Sequence, residues 1–210
     1  MLKPIPLRIF MSVRSVLGCA RQPYMKPLVV LGSAAKKSLR HPKADETKRA
    51  TFIQQIEAYE HDKRNIVYVD ESGFAKNMPR THGYSKRGER CYGTHNWHER
   101  GRVNAIGAIL AGAFLTCSLV SCNVDSEVFH AWVCQDLLPK LPEKSVIVMD
   151  NATFHKRQDT RVAIERAGHT LEFLPPYSPD LNPIEPKWAQ AKARRRKTGE
   201  TPQEIFETRF

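Results

Sequence analysis

Two short apolar runs in this chain each end in an aspartate. Asn65–Val69 (NIVYV) leads into Asp70, and Ser145–Met149 (SVIVM) leads into Asp150. Apolar runs of this length, without polar alternation, read as strands buried on both faces. Such strands need helices above and below them, which restricts the chain to layered α/β architectures. Ligand sites in those folds collect at the carboxyl ends of strands, where both aspartates stand. If the two strands lie side by side, their carboxylates point at one spot.

The remaining pattern supplies the other layers. Asp45–Tyr59 reads as a helix, with Phe52, Ile53, Ile56 and Tyr59 at helical spacing and Asp45 as its N-cap. Residues 75–102 are polar and Gly-rich and predict a loop or hairpin with Arg and Lys on one face. Val103–Leu110 and Ala113–Val120 predict two strands, Asp125–Leu138 and Asp159–Ala167 two helices, and Leu171–Leu174 a further strand. Pro175-Pro176-Tyr177-Ser178-Pro179 makes a stiff irregular segment, and a helix begins after Pro183. Antiparallel strands followed by alternating helix and strand predict an α/β domain with a mixed sheet and flanking helices. Ala105–Val120 approaches membrane-spanning length, but Gly107 and Gly112 interrupt it, and two strands joined by a tight turn explain it better. No membrane association is expected.

A chain of 210 residues suits one catalytic domain with short extensions. Its +11 charge is unevenly placed: residues 1–65 carry +8, residues 66–185 carry −1 and residues 186–210 carry +4. Two basic ends around a near-neutral middle fit a polyanionic partner, of which nucleic acid is the commonest. Five cysteines without a C-x-x-C pair predict no disulfide framework and fit a reducing cytosol. Cys91, His95 and His98 lie close together but lack a second ligand pair at zinc spacing.

A third carboxylate, Glu185, opens the basic C-terminal helix. Three converging carboxylates repel one another unless a cation neutralises them, and oxygen donors of this kind suit Mg²⁺ or Mn²⁺. A pair of such ions supports phosphodiester cleavage.

VYVDESGF at 67–74, VIVMDNATFHK at 146–156 and LPPYSPDLNPIEPKW at 174–188 resemble the three catalytic blocks of a DDE transposase family. The branch they resemble is the bacterial insertion-sequence group of the mariner-like superfamily, the "IS six-thirty" type. Between Asp150 and Glu185 stand 34 residues, the spacing that marks this superfamily. The resemblance runs from about Lys43 to Lys197. It implies a ribonuclease-H-like core over 45–197, a basic N-terminal remnant or linker over 1–44 and a C-terminal tail over 198–210.

The resemblance further implies that Asp70, Asp150 and Glu185 are catalytic and hold two Mg²⁺ ions, with Mn²⁺ as a substitute. The implied reaction is cleavage of DNA at transposon ends, followed by attack of the freed 3′-hydroxyl on target DNA. The implied partners are the terminal inverted repeats and target DNA, a second copy of the chain on that DNA, and an upstream helix-turn-helix protein. A bacterial cytoplasmic, nucleoid-associated location follows. Lys187, Lys192, Arg194, Arg195 and Arg196 are phosphate-contact candidates, and Asn151 and His155 are accessory candidates. Glu71 reads as a non-ligand, because neighbouring strand residues point to opposite faces. Trp188 reads as core packing and Tyr177 as scaffold. Full-length relatives carry an N-terminal helix-turn-helix region that is not found before residue 45, so an inactive truncated form that inhibits transposition is the alternative. A ribonuclease H or resolvase is a third reading, which the LPPYSPDLNPIE block disfavours.

Overall fold

A computed structural model describes residues 11–13, 41–76, 83–93 and 101–207. Among these residues six strands form one sheet in the order β1-β4-β3-β2-β5-β6. These are β1 (Met11–Val13), β2 (Ile66–Ala75), β3 (Arg102–Leu110), β4 (Ala113–Val120), β5 (Val146–Met149) and β6 (Thr170–Phe173). β1 pairs antiparallel with β4, β4 with β3 and β3 with β2, whereas β2–β5 and β5–β6 are parallel. The expected mixed sheet is therefore present. Among the described residues five α-helices flank it: α1 (Glu46–His61), α2 (Ser126–Trp132), α3 (Gln158–Arg166), α4 (Glu185–Thr198) and α5 (Pro202–Glu207).

Strand alternation divides the core. Val67, Val69, Ile106 and Ala108 face one side, where they pack with Phe129, Trp132 and Leu137 from the α2 region and Ile164 of α3. Phe74, Ala105 and Ile109 face the other side, against Ile184, Trp188 and Ala191 around α4 and Ile205 and Phe206 of α5. On that second side α1 lays Phe52 and Ile56, one turn apart, against Val146 and Val148 of β5. Asp45 caps α1, its Oδ1 accepting the N–H groups of Thr47 and Lys48.

Several elements depart from the sequence expectation. β2 runs to Ala75 rather than stopping at Asp70, because β3 pairs with it residue by residue from Val67↔Leu110 to Ala75↔Arg102. That ladder satisfies the backbone of the polar stretch Asp70–Gly73, which apolar patterning alone does not mark as strand. α2 continues through a wide turn, Val133–Leu137, and a tight one, Leu138–Lys140. The wide turn carries Asp136, which accepts the hydroxyls of Thr116 and Ser118 on β4, each at 2.7 Å.

The apolar run Ala105–Val120 is the β3–β4 hairpin, and its two turn residues have positive φ (Ala111 51°, Gly112 79°), as a tight primed turn requires. No helix among the described residues is long and apolar enough to cross a membrane. The loop between β2 and β3 closes at its base, where the Lys76 N–H donates to the Gly101 carbonyl at 2.8 Å. Cys91 is exposed on that loop, while His95 and His98 lie outside the described residues. The stretch expected as a tail forms α5, with Ile205 and Phe206 buried in the core. Of residues 1–44, 11–13 and 41–44 are described, and 11–13 form the edge strand β1.

Candidate active site

The parallel ladder between β2 and β5 ends at Tyr68↔Val148. Asp70, midway along β2, and Asp150, just past the end of β5, each lie two residues beyond that last pair. Glu185, the first residue of α4, reaches the same place from the helix layer. The three carboxylates line one cavity of about 270 Å³ together with Asn151, Asn182 and the segment from Leu174 to Pro179.

That segment is rigid by composition, with Pro175, Pro176 and Pro179 fixing its backbone. Arg49 of α1 is buried and anchors its far end through a forked pair to Asp180, at 2.9 and 2.6 Å. The next turn starts α4: Asn182 accepts from the Glu185 N–H through its backbone carbonyl and from the Ile184 N–H through its side chain. Gly199 ends α4 with φ 80°.

The two aspartates sit in different environments. Asp70 is buried, and its Oδ2 accepts the indole N–H of Trp188 at 3.1 Å. Burial first, then the charges of Glu71, Glu185 and Asp150, push its carboxyl up to about 7. Asp150 is held the other way. A hydrogen bond from His155 keeps it below the usual carboxylate range against the opposing effect of burial, with help from the Ala152 N–H. His155 is fully buried, with Nδ1 2.6 Å from Asp150 Oδ1 and Nε2 2.9 Å from Glu71 Oε1. Burial pulls the ring toward neutrality, but its hydrogen bonds to Asp150 and Glu71 outweigh that and raise it to about 9.

The structure thus brings together Asp70, Asp150, Glu185 and Asn151 at the cavity. His155 stands behind Asp150 instead of facing the cavity. Asn151 donates through its amide to the Leu174 carbonyl, which ties the end of β5 to the proline segment. No three His, Cys, Asp or Glu side chains among the described residues already stand in metal-ligating geometry. One oxygen of Asp70 is turned to Trp188 and one of Asp150 to His155.

The five basic candidates on α4 do not form one surface. Arg195 is a correction. It is buried, and its guanidinium donates to the Ala75 and Lys76 carbonyls, tying off the end of β2. Arg194 is forked onto Glu200, both bonds at 2.7 Å. Lys192 lies over the Phe74 ring at 5.7 Å. Lys187 is partly exposed and Arg196 is exposed.

Sequence reasoning missed two features of the site. Trp188 is core, as expected, but it is also the hydrogen-bond donor to Asp70. Gly107 looked like punctuation of an apolar run, yet it pairs with Asp70 across the sheet. A Cβ at Gly107 would come within 2.7 Å of the Trp188 ring, so its missing side chain makes room for the indole. The three-residue step from Glu185 to Trp188 was the one available signal that the indole shares the site's face of α4.

A family model described as DDE superfamily endonuclease matches residues 65–205, two thirds of the chain, and spans all three carboxylates. The chain belongs to that family. No curated protein matches it. Among solved structures, this chain is similar to a Mos1 transposase paired-end complex with the left transposon end. There the TM-score is 0.56 at 15% identity, over 84% of this chain and 62% of the other. It is also similar to the Mos1 mariner paired-end complexes with Mn and with Mg, both with TM-score 0.55 at 16% identity. Those likenesses cover 84% and 85% of this chain and 62% and 54% of the other. The chain therefore spans less than two thirds of each of these three chains. At these identities the likeness shows the fold alone, a ribonuclease-H-like mixed sheet with flanking helices.

Proposed function

We propose that this chain is the catalytic domain of a transposase of the bacterial insertion-sequence branch of the mariner-like superfamily. Its reaction is metal-dependent cleavage of DNA at transposon ends, then transfer of the freed 3′-hydroxyl to target DNA. The observation that carries this reading is the meeting of Asp70, Asp150 and Glu185 at one cavity, in the order and spacing of the family blocks.

The donor set fits divalent cations. Three hard carboxylate donors line one cavity, where burial first and the neighbouring carboxylates second disfavour the ionised form of Asp70, a cost that a bound cation would offset. Asp70, Asp150 and Glu185 would hold two Mg²⁺ or Mn²⁺ ions, which when bound activate a water or hydroxyl and stabilise the leaving oxygen of a phosphodiester. The proteins in two of the similar structures were solved with Mn and Mg. The chain's own residues do the rest. Trp188 and His155 hold the two aspartates from behind. The proline segment, braced by Arg49, lines the same cavity. Lys187 and Arg196 offer phosphate contacts along α4. The DNA ends, target DNA, a second copy of the chain, a helix-turn-helix partner and a nucleoid location belong to the same proposal. It is supported by the basic flanks and by the paired-end transposon DNA named for the similar Mos1 structure.

The test is nicking of a supercoiled plasmid carrying the element's ends, in Mg²⁺, Mn²⁺ or EDTA. Nicking is expected with either metal, not with EDTA, and is expected to fall about 100–1,000-fold in Asp150→Asn, in line with loss of a principal electrostatic catalytic group. Nicking that survives the substitution unchanged overturns the reading.

A further inference from the structure

Glu71 follows Asp70 in the chain but leaves β2 on the opposite face, as strand alternation requires. It is partly buried, its side chain 16% exposed, and its partner is the ring of His155 at 2.9 Å. His155 lies in the tight turn Thr153–Lys156, five residues after Asp150. Its ring is wedged between Phe129 and Phe154, each with its centroid 4.3 Å away. Carboxylate oxygens stand within hydrogen-bond distance of both ring nitrogens, so the ring is held at both edges. Asp150 receives His155 and the Ala152 N–H on the same oxygen, Oδ1, at 2.6 and 2.9 Å. Oδ2 is thereby left for the cavity that Asp150 lines.

We propose that Glu71 and His155 are positioning residues of the carboxylate site: Glu71 aims the His155 ring, and the ring fixes the rotation of Asp150 so that one oxygen faces the cavity. The proposal rests on the metal-site reading above and adds a function for the carboxylate that sequence alone sets aside. Asp70 and Asp150 come from separate strands with no backbone pairing between them, so each needs its own restraint. Trp188 supplies it on the α4 side of the sheet, and the Glu71–His155 pair supplies it on the α2 side. A buried ion pair serving stability alone would leave metal affinity unchanged in any variant that folds.

The experiment uses the full chain and Mn²⁺ as the probe, with free Mn²⁺ followed by electron paramagnetic resonance and folding by thermal denaturation without metal. Glu71→Ala is expected to weaken Mn²⁺ binding about 10–100-fold, the usual effect of losing a partner that orients a metal ligand. Glu71→Gln keeps an acceptor for the ring and is expected to remain within about threefold of the unaltered chain, by the same rule. Glu71→Asp, shortened by one methylene, stands in if the alanine variant fails to fold, with about a tenfold loss expected. Unchanged Mn²⁺ affinity in folded Glu71→Ala or Glu71→Asp overturns the proposal. Asp150→Asn separates the two levels: if it binds Mn²⁺ normally, the metal-site reading itself fails. If it loses Mn²⁺ while the Glu71 variants keep it, only the positioning role fails.

Discussion

Asp70 and Asp150 are the same residue type in two opposite settings. Asp70 is buried beside three other carboxylates and is raised to about 7, whereas Asp150 has a cationic neighbour and is lowered. For Asp70 the consequence has a definite sign. Its unfolded value is near 3.8, so between about pH 4 and pH 7 the folded chain binds more protons than the unfolded chain. Without metal, this group's contribution to stability falls as pH rises through that window and then levels off. A cation that binds ionised Asp70 reverses the penalty. The rise in Tm on adding Mn²⁺, read by thermal denaturation, is therefore expected to be larger at pH 8 than at pH 5.5. An equal rise at both would show that Asp70 takes no part in binding. Trp188→Phe keeps an aromatic ring in the core and removes the donor to Asp70. Urea unfolding is expected to show a loss of about 1–2 kcal/mol, the usual contribution of such a bond.

Helix α4 reaches the sheet because β3 has no side chain at Gly107. The indole of Trp188 fills that space and is enclosed by Phe74, Phe114 and Phe206. Gly107→Ala forces a Cβ against the ring, and overpacking of this kind costs about 1–3 kcal/mol. Chemical denaturation followed by tryptophan fluorescence would measure it. Because Trp188 also holds Asp70, nicking is expected to fall with stability. A stable Gly107→Ala chain with unchanged fluorescence would mean that α4 can shift without disturbing the site. Much at this level was legible in the sequence: the apolar spacing and Asp45 marked α1, and Pro183 marked the start of α4. The length of β2 was not. Its stretch Asp70–Gly73 lacks apolar patterning, and only pairing with β3 makes it a strand.

Across the molecule, the charge that pointed to nucleic acid is divided between surface and interior. Lys187 and Arg196 are available on α4, but Arg195 is turned inward to the end of β2 and Arg194 is paired with Glu200. DNA binding measured against salt should distinguish them. Lys187→Ala and Arg196→Ala are each expected to reduce the slope of log K against log salt by about 0.9, one phosphate contact. Arg195→Ala is expected to lower Tm instead, since it leaves the Ala75 and Lys76 carbonyls without their donor. A slope unchanged in both surface variants would move the DNA path away from this helix.

Local pattern determined the apolar runs that lead into Asp70 and Asp150, the mixed α/β class and the three acidic blocks, because apolar periodicity and short motifs are carried by neighbouring residues. Tertiary structure decided what stands behind those acids. Glu71 and His155 are 84 positions apart, and Trp188 and Asp70 are 118 apart. The inward turn of Arg195 and the burial of α5 depend on the end of β2 and on the aromatic cluster beside it. Contacts of such range are set by which strands become neighbours and which faces they present. A run of residues read by its own spacing holds no record of the side chain that will arrive from across the sheet.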